Sequence, residues 1–282
     1  MIMSEDAIEQ FGERLVQHCR DEAIWGCNLV LNSESESRQD KRWRTAAAAA
    51  GGLVPANMVI PDSVDPAVGN LLLAVDQELI RLSFTTEYGE TVYLPEDGQG
   101  EMCGWYGGKG GWRAWYSKER IVDLEDFDIS ALAAEWGTEN IPDDPAPILE
   151  ELQMPRRAIE ELGELLVRHV RDVAIQSCDM QLLPHSETPM AQRWRRIAAG
   201  FQGKVPPEAL IPDCVDETIF AFLRAIDQGK LRLSFTADSG ETVDLVKEGA
   251  GTLAKQYMAS GGWRAKYSKE RFFDDLADVA SE

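Results

Sequence analysis

The chain has 282 residues, of which 44% are apolar and 27% are charged, and its formal net charge is −21 at pH 7. This composition excludes the disordered, collagenous and disulfide-rich classes, and the length predicts two domains. The negative charge argues against nucleic acid and anionic membranes as partners and favours a basic protein.

The N-terminal residues, MIMSEDAIEQ, are acidic where a secretory signal would carry basic residues and then an apolar run. We therefore expect a cytoplasmic protein without a membrane anchor. The cysteines are scattered and form no C-x-x-C pair, which predicts reduced, mostly buried thiols and no metal site. They are Cys19, Cys27, Cys103, Cys178 and Cys214.

A long internal repeat dominates the sequence. An offset of 151 aligns residues 7–123 with 158–274 without a gap, and roughly half of the paired positions are identical. The phrase GGWRAWYSKERI at 110–121 returns as GGWRAKYSKERF at 261–272. Solenoid units are much shorter, so each copy is predicted to be a complete domain. We expect the two copies to pair as the subunits of a symmetric dimer do.

Two helices are predicted near the start of each copy. Apolar residues at helical spacing between 8 and 19, and again between 159 and 170, indicate an opening amphipathic helix. A second helix is expected to include the R-W-R triplets at 42–44 and 193–195. A tryptophan packed inward with arginines outside explains these triplets better than a nucleic-acid site does, given the overall charge.

A third helix and a small sheet are predicted next. Asp65 is a plausible N-cap with Pro66 at the first helical position. The alternating pattern at 80–85, a turn, and the strand at 91–94 predict a β-hairpin. The opening of the repeated phrase, at 112–117, also alternates and predicts a third strand, followed by a short helical tail.

These elements predict an α+β fold in which about three helices pack on one face of a three-stranded antiparallel meander. The chain is then two tandem copies, at 1–130 and 157–282, joined by an acidic, proline-containing linker at 131–156. Much of the excess acid lies near this linker, because residues 119–155 hold 11 acidic side chains and one basic side chain.

The glycine-rich, aromatic stretch at 98–113 and the strand that follows it are the candidate partner-binding surface. Tryptophan, tyrosine and arginine are common anchors of protein interfaces. GGKG at 107–110 lacks the spacing of a P-loop, so no nucleotide or other cofactor is predicted. An alternative is that the aromatic residues that recur in both copies belong to the core. The candidates are Trp105, Tyr106, Trp112, Arg113 and Lys118, with Tyr257, Trp263, Arg264 and Lys269 in the second copy.

The uncovered face of the predicted sheet is a weaker candidate, for anion binding. Arg81 and Arg232 are its main residues, because guanidinium groups bind planar anions through two hydrogen bonds. Ordinary cross-strand pairs explain the same face without a ligand. The full set is Arg81, Ser83, Thr85, Thr91, Arg113 and Ser117, with Arg232, Ser234, Thr236, Thr242, Arg264 and Ser268 as counterparts.

The recurring histidines and carboxylates indicate no specific reaction. His18 and His169 lie on the apolar side of the first helix, where structural histidines are common, and no metal-binding spacing surrounds them. The recurring acids Asp62, Asp76 and Glu90 have local explanations at helix ends and a turn. We assign no catalytic residue and no metal ligand.

The first functional hypothesis is a non-enzymatic cytoplasmic protein-binding module, such as an inhibitor, an immunity-type protein or an adaptor. Its acidic first half would attract a basic partner. The alternative is an enzyme whose site lies between the copies and uses a histidine with recurring Asp or Glu residues, with or without a divalent metal.

Overall fold

The computed structural model describes residues 16–21, 23–25, 27, 38–49, 52–108, 110–121 and 167–272. The opening-helix predictions at 8–15 and 159–166, and the linker at 131–156, lie outside these residues. Below, the first half means the described residues up to 121 and the second half those from 167 onward.

From the helix that contains the R-W-R triplet onward, the two halves have the same order of elements. The first half contains a π-helical segment (Val16–Asp21), α1 (Arg38–Ala49), α2 (Ala56–Asp76), β1 (Leu82–Thr85), β2 (Thr91–Tyr93), α3 (Leu94–Asp97), α4 (Met102–Gly107) and α5 (Trp112–Tyr116). The second contains a π-helical segment (Val167–Arg171), α6 (Asp172–Leu182), α7 (Pro189–Ala199), α8 (Pro207–Asp227), β3 (Leu233–Thr236), β4 (Thr242–Asp244), α9 (Leu245–Glu248), α10 (Leu253–Met258) and α11 (Trp263–Tyr267). From α2 onward, the bounds in the two halves differ by 151 residues throughout.

The fold combines helices with one four-stranded antiparallel sheet, which is an α+β arrangement. The strand order is β2-β1-β3-β4, so the two hairpins meet at the centre of the sheet. Ser83 pairs with Ser234, the residue at the same position in the other half. The inner strand of each hairpin is therefore completed by the hairpin of the other half.

The third strand predicted in each half is wrong. Trp112–Tyr116 and Trp263–Tyr267 form the short helices α5 and α11. Apolar residues at 112 and 116 fit helical spacing as well as alternation, and so short a run does not separate the two. Consecutive residues point to opposite faces of a strand, yet Trp112 and Arg113 are both buried. The helical tail expected from Lys118 is also absent from residues 118–121.

The second helix of each half is confirmed as α1 and α7, and the third exists as α2 and α8. The predicted start of the third is wrong, because α2 begins at Ala56 and Asp65 lies in its interior. Pro61 and Pro66 are consequently inside the helix, where each removes an N–H donor for the carbonyl four residues earlier.

Side-chain donors replace the N–H groups that the two prolines lack. Asn57 O, left by Pro61, accepts from Arg120 Nε at 2.6 Å. Asp62 O, left by Pro66, accepts from Cys27 Sγ at 3.7 Å. The helix therefore continues through both prolines because residues far along the chain satisfy its carbonyls.

The same device occurs in α8. Pro212 leaves Glu208 O, which accepts from Arg271 Nε at 3.1 Å. The second arginine of the repeated phrase in each half therefore contacts the long helix of that half at a proline.

Buried residues of both halves form one hydrophobic cluster around α2 and α8. Helix α2 is long and apolar enough to cross a membrane by length and composition, but 78% of its most apolar window is buried inside the protein. Its surroundings are compatible with a core helix of a soluble protein. The apolar residues of the strands, including Phe84 and Phe235, face this core.

Candidate functional site

Four of the predicted partner-binding residues form two buried triads with aspartates. Arg113 Nη1 donates to Asp65 Oδ2 at 2.6 Å, and Tyr106 Oη donates to Asp65 Oδ1 at 2.7 Å. In the second half, Asp216 accepts hydrogen bonds from Arg264 Nη1 at 2.8 Å and from Tyr257 Oη at 2.6 Å. Both arginines and both tyrosines are buried, so they do not form an accessible surface.

The aromatic residues of the glycine-rich stretch are also largely internal. Trp112 and Trp263 are buried at the starts of α5 and α11. Trp105 is half-buried and packs against Trp112 with ring centroids 5.9 Å apart. The structure thus places the recurring aromatic residues in the core, as the alternative interpretation expected. Trp115, which the sequence interpretation did not select, is 45% exposed.

Lys118 and Lys269 lie where each half contacts the other. Lys118 N and Ser117 Oγ donate to the two carboxylate oxygens of Asp172 at 2.8 and 2.6 Å. The reciprocal contacts join Lys269 N and Ser268 Oγ to Asp21, both at 2.7 Å. The two lysine side chains are exposed, in contrast to the buried arginines and aromatic residues.

Arg120 extends the contact between the halves. Its Nη1 and Nη2 donate to the carboxylate of Asp179 on α6 at 2.5 and 2.9 Å, a two-bond arrangement that suits a guanidinium group. Gln176 Nε2 also donates to Glu119 at 2.9 Å. We call the contacts of Ser117–Arg120 and Ser268–Arg271 with the long helices and with the opposite half the inter-half clamp. The repeated S-K-E-R sequence has a structural role there.

The two sheet arginines also reach across the chain. Arg81 Nη2 donates to Asp238 Oδ1 at 3.0 Å in the turn of the opposite hairpin, and Arg232 donates to Thr86 O. Thr85 and Thr91 share a hydroxyl hydrogen bond of 2.9 Å. These are the cross-strand pairs of the alternative interpretation. Arg113, Ser117 and their counterparts lie off the sheet, so the anion face predicted from them is not assembled.

The recurring acids and histidines lie in separate places. Asp62 accepts from Trp43 Nε1 at 2.5 Å, and Asp76 accepts from the backbone of Cys103 at 3.2 Å. His18 and His169 are both half-buried, and burial, followed by the nearby charges of Lys230 and Arg168, lowers the pKa of His169. Among the described residues, no group of three or more His, Cys, Asp or Glu side chains could hold a metal ion.

A partly buried carboxylate distinguishes the second half. Glu217 on α8 replaces Pro66 of α2, and its Oε2 accepts from Ser177 Oγ at 2.9 Å. Burial raises the pKa of Glu217, and the nearby charges of Asp216 and Asp213 raise it further. The charged form is therefore unfavourable in the folded protein.

Glu217→Gln is expected to stabilise the protein at neutral pH by about 1 kcal/mol, or about 2 to 4 °C in Tm. Because the pKa of Glu217 is raised in the folded state, its ionisation does not destabilise the native protein at pH values below the unfolded-state pKa. The penalty grows as the pH rises through the folded pKa and stays constant above it. Thermal unfolding from pH 4 to 8 should therefore show a gain that shrinks towards pH 4. The exposed Glu248→Gln is the matched control, and an equal trend in both variants would refute the assignment.

The first half carries exposed acidic residues around its hairpin. Burial and then the charge of Glu78 raise the pKa of Tyr93, with Glu96 adding to this and Arg81 opposing it, which places both glutamates near β2. Burial raises the pKa of Asp76, hydrogen bonds from the backbone of Cys103 and Met102 oppose this, and the charge of Glu101 raises the pKa further. We call the exposed residues Glu78, Glu87, Glu90, Glu96 and Glu101 the acidic hairpin surface. Comparing charges between positions 151 apart could have identified it from the sequence.

Comparison with protein-family models, curated proteins and solved structures finds no match to this chain. No known activity can therefore be carried over to its residues. What each exposed residue can do follows from its own contacts and charge.

Proposed function

We propose that the chain is a tandem duplication of one α+β unit and acts in the cytoplasm as a non-catalytic module that binds a basic protein. The observation that carries the proposal is the difference in charge between the hairpin regions of the two halves. Residues 76–101 hold seven acidic side chains and one basic side chain, whereas residues 227–252 hold five and three. The net charges are −6 and −2.

The difference arises on exposed side chains. Three glutamates of the acidic hairpin surface have no acidic counterpart, because Glu78, Glu96 and Glu101 correspond to Gly229, Lys247 and Thr252. Lys247 forms an ion pair of 3.0 Å with Asp244, which neutralises part of the second hairpin. A backbone of the same form therefore carries a strong negative field only in the first half, which suits recognition of a cationic surface.

An exposed aromatic residue lies beside these charges. Tyr88, in the turn between β1 and β2, is 71% exposed, and its counterpart is Ser239. Exposed tyrosines supply apolar contact area and a hydroxyl group at protein interfaces. The first hairpin region therefore combines a strong negative charge, which attracts a cationic partner, with an exposed tyrosine. The second hairpin region has a weaker negative charge and a serine in place of the tyrosine.

The symmetric contacts support the duplication and the pairing of its copies. The Ser83–Ser234 pair relates identical positions, and the inter-half clamp repeats Ser-to-Asp and Lys-to-Asp contacts in both directions. Such self-complementary contacts characterise the interface of a two-fold dimer. The second unit then completes the sheet and core of the first, and the first presents the acidic hairpin surface.

No comparable observation favours the enzyme hypothesis. The recurring aspartates between the halves, Asp21 and Asp172, bind Ser268 and Ser117 of the inter-half clamp. Asp62 and Asp213 bind the tryptophans of α1 and α7. These carboxylates therefore have structural partners in the described part of the chain.

The proposal predicts that Glu96→Lys with Glu101→Thr will weaken partner binding by at least about tenfold, equivalent to about 1.4 kcal/mol. These residues occur naturally at 247 and 252, so the backbone should accept them. Tagged full-length protein would be used to capture partners from a lysate of its own cells at low and high salt. The retained protein would then be purified and titrated against each variant.

The matched control is Glu241→Thr with Glu248→Lys, which changes the charge of the second hairpin region equally. It should leave binding within about twofold, because the partner contacts the first half. A partner that is not basic, or that both variants weaken to the same extent, would contradict the proposed surface. Retention of no specific protein at low salt would contradict the binding function itself.

A further inference from the structure

Helix α5 carries an exposed tryptophan. Trp115 is 45% exposed, and its side chain forms no hydrogen bond or ring contact within the described part of the chain. A Cβ atom at Gly110 would lie 3.8 Å from Trp115 Nε1, and Gly110 is itself exposed. The indole edge therefore adjoins a residue without a side chain, which leaves the ring accessible to a partner.

Trp115 is connected to the acidic hairpin surface through α4. Glu101 O accepts from Trp105 N at 2.9 Å in the first turn of α4. A Cβ atom at Gly111 would lie 2.1 Å from Trp105 O, and Gly111 O accepts from Trp115 N at 3.1 Å. The glutamate that begins α4 and the exposed indole of α5 therefore lie on two short helices in close contact.

The second half presents a cation at the equivalent position. Trp115 corresponds to Lys266, which is also exposed, and Lys266 Nζ lies 4.9 Å from the centroid of the Tyr267 ring. Together with Lys247 in place of Glu96, this lysine opposes the approach of a cationic partner to the second half. The first half instead combines an exposed indole with a negatively charged surface.

We propose that the basic partner binds through an arginine side chain that stacks on Trp115. This inference rests on the proposed function and specifies the chemistry of the partner. The face of an aromatic ring attracts a cation, and tryptophan is the best aromatic residue for this contact. A guanidinium group is planar and less strongly hydrated than an ammonium group, so arginine stacks more readily than lysine. The acidic hairpin surface supplies attraction for any cation, and Trp115 distinguishes arginine from lysine.

The experiment titrates the full chain into two fluorescein-labelled peptides of equal charge, nona-arginine and nona-lysine, in about 150 mM NaCl. Fluorescence anisotropy gives the two dissociation constants. We expect nona-arginine to bind at least about fivefold more tightly than nona-lysine, which corresponds to about 1 kcal/mol.

Variants separate the ring from the charge. Trp115→Leu removes the aromatic ring but leaves an apolar residue and an unchanged net charge. It should lower the preference for nona-arginine to about twofold or less, whereas Trp115→Phe should keep an intermediate preference. Glu96→Lys with Glu101→Thr should weaken the binding of both peptides in similar proportion, because these glutamates act through their charge.

Trp25→Leu is the matched control. Trp25 is 54% exposed, and Gln176 at the equivalent position contacts Glu119 of the inter-half clamp. This variant should leave the preference for nona-arginine unchanged. Equal binding of the two peptides by the unsubstituted chain, a preference that survives Trp115→Leu, or an equal loss in Trp25→Leu would overturn the stacking contact alone. Failure of the full chain to bind either peptide would contradict the proposed function, and this inference with it.

Discussion

Asp216→Ala is expected to lower the free energy of unfolding by about 3 to 5 kcal/mol, the largest effect of any single substitution considered. The Asp216 side chain is 2% exposed and accepts from Arg264 and Tyr257. Removing the carboxylate takes away the counter-ion of a buried guanidinium group and the acceptor of a buried hydroxyl. Both would lose polar partners in the core, which costs far more than an exposed pair of charges contributes.

Urea denaturation followed by circular dichroism and tryptophan fluorescence would measure the change. Asp238→Ala is the matched control, because Asp238 also pairs with an arginine but its side chain is 58% exposed. We expect that control to cost less than about 1 kcal/mol. Equal losses in the two variants would show that the buried triad has no special role.

Gly262→Ala is expected to destabilise the protein by about 3 kcal/mol. A Cβ atom at this position would lie 1.9 Å from Gln256 O and 3.0 Å from Ala259 O. Both are backbone atoms, so relief requires α10 and α11 to move apart. The second glycine of the repeated GGW sequence is therefore required by the close approach of two short helices.

The adjacent Gly261→Ala provides the control, since its Cβ would meet no atom within 4 Å. Its effect should stay within about 0.5 kcal/mol. Thermal unfolding of the two variants under identical conditions would measure the difference. A similar loss is expected for Gly111→Ala, whose Cβ would lie 2.1 Å from Trp105 O. Similar Tm values for Gly261→Ala and Gly262→Ala would refute the steric argument.

Local patterns predicted the hairpins and the second and third helices of each half. They failed at Asp65 and Pro66, where an N-cap followed by proline is a common helix start. That rule holds because a proline inside a helix leaves the carbonyl four residues earlier without its donor. It does not apply where another group donates to that carbonyl. In α2, Cys27 Sγ donates to the carbonyl that Pro66 leaves without its helical donor, and Arg120 Nε donates to the carbonyl that Pro61 leaves. Contacts over such distances along the chain have no local signal.

The burial of several residues of the candidate surface has a related reason. Residue type selected Arg113 and Tyr106 as interface anchors, but residue type does not show whether an arginine has an internal partner. Asp65, which binds both, lies 41 and 48 residues earlier in the chain. The net charge of long segments does not reveal the acidic hairpin surface, because its excess of glutamates appears only when equivalent positions of the two halves are compared.

The sequence alone determined the recurrence of the phrase GGWRAWYSKER as GGWRAKYSKER, the alternation of the hairpin strands and the negative charge, because each is a property of residue order and composition. Only the tertiary structure decided that the two hairpins share one sheet, that the repeated phrase is a helix followed by a clamp, and that Arg113 and Arg264 are buried. Strand pairing and ion pairing depend on which groups meet in space. In this chain the decisive partner of Ser83 is Ser234, and that of Lys118 is Asp172.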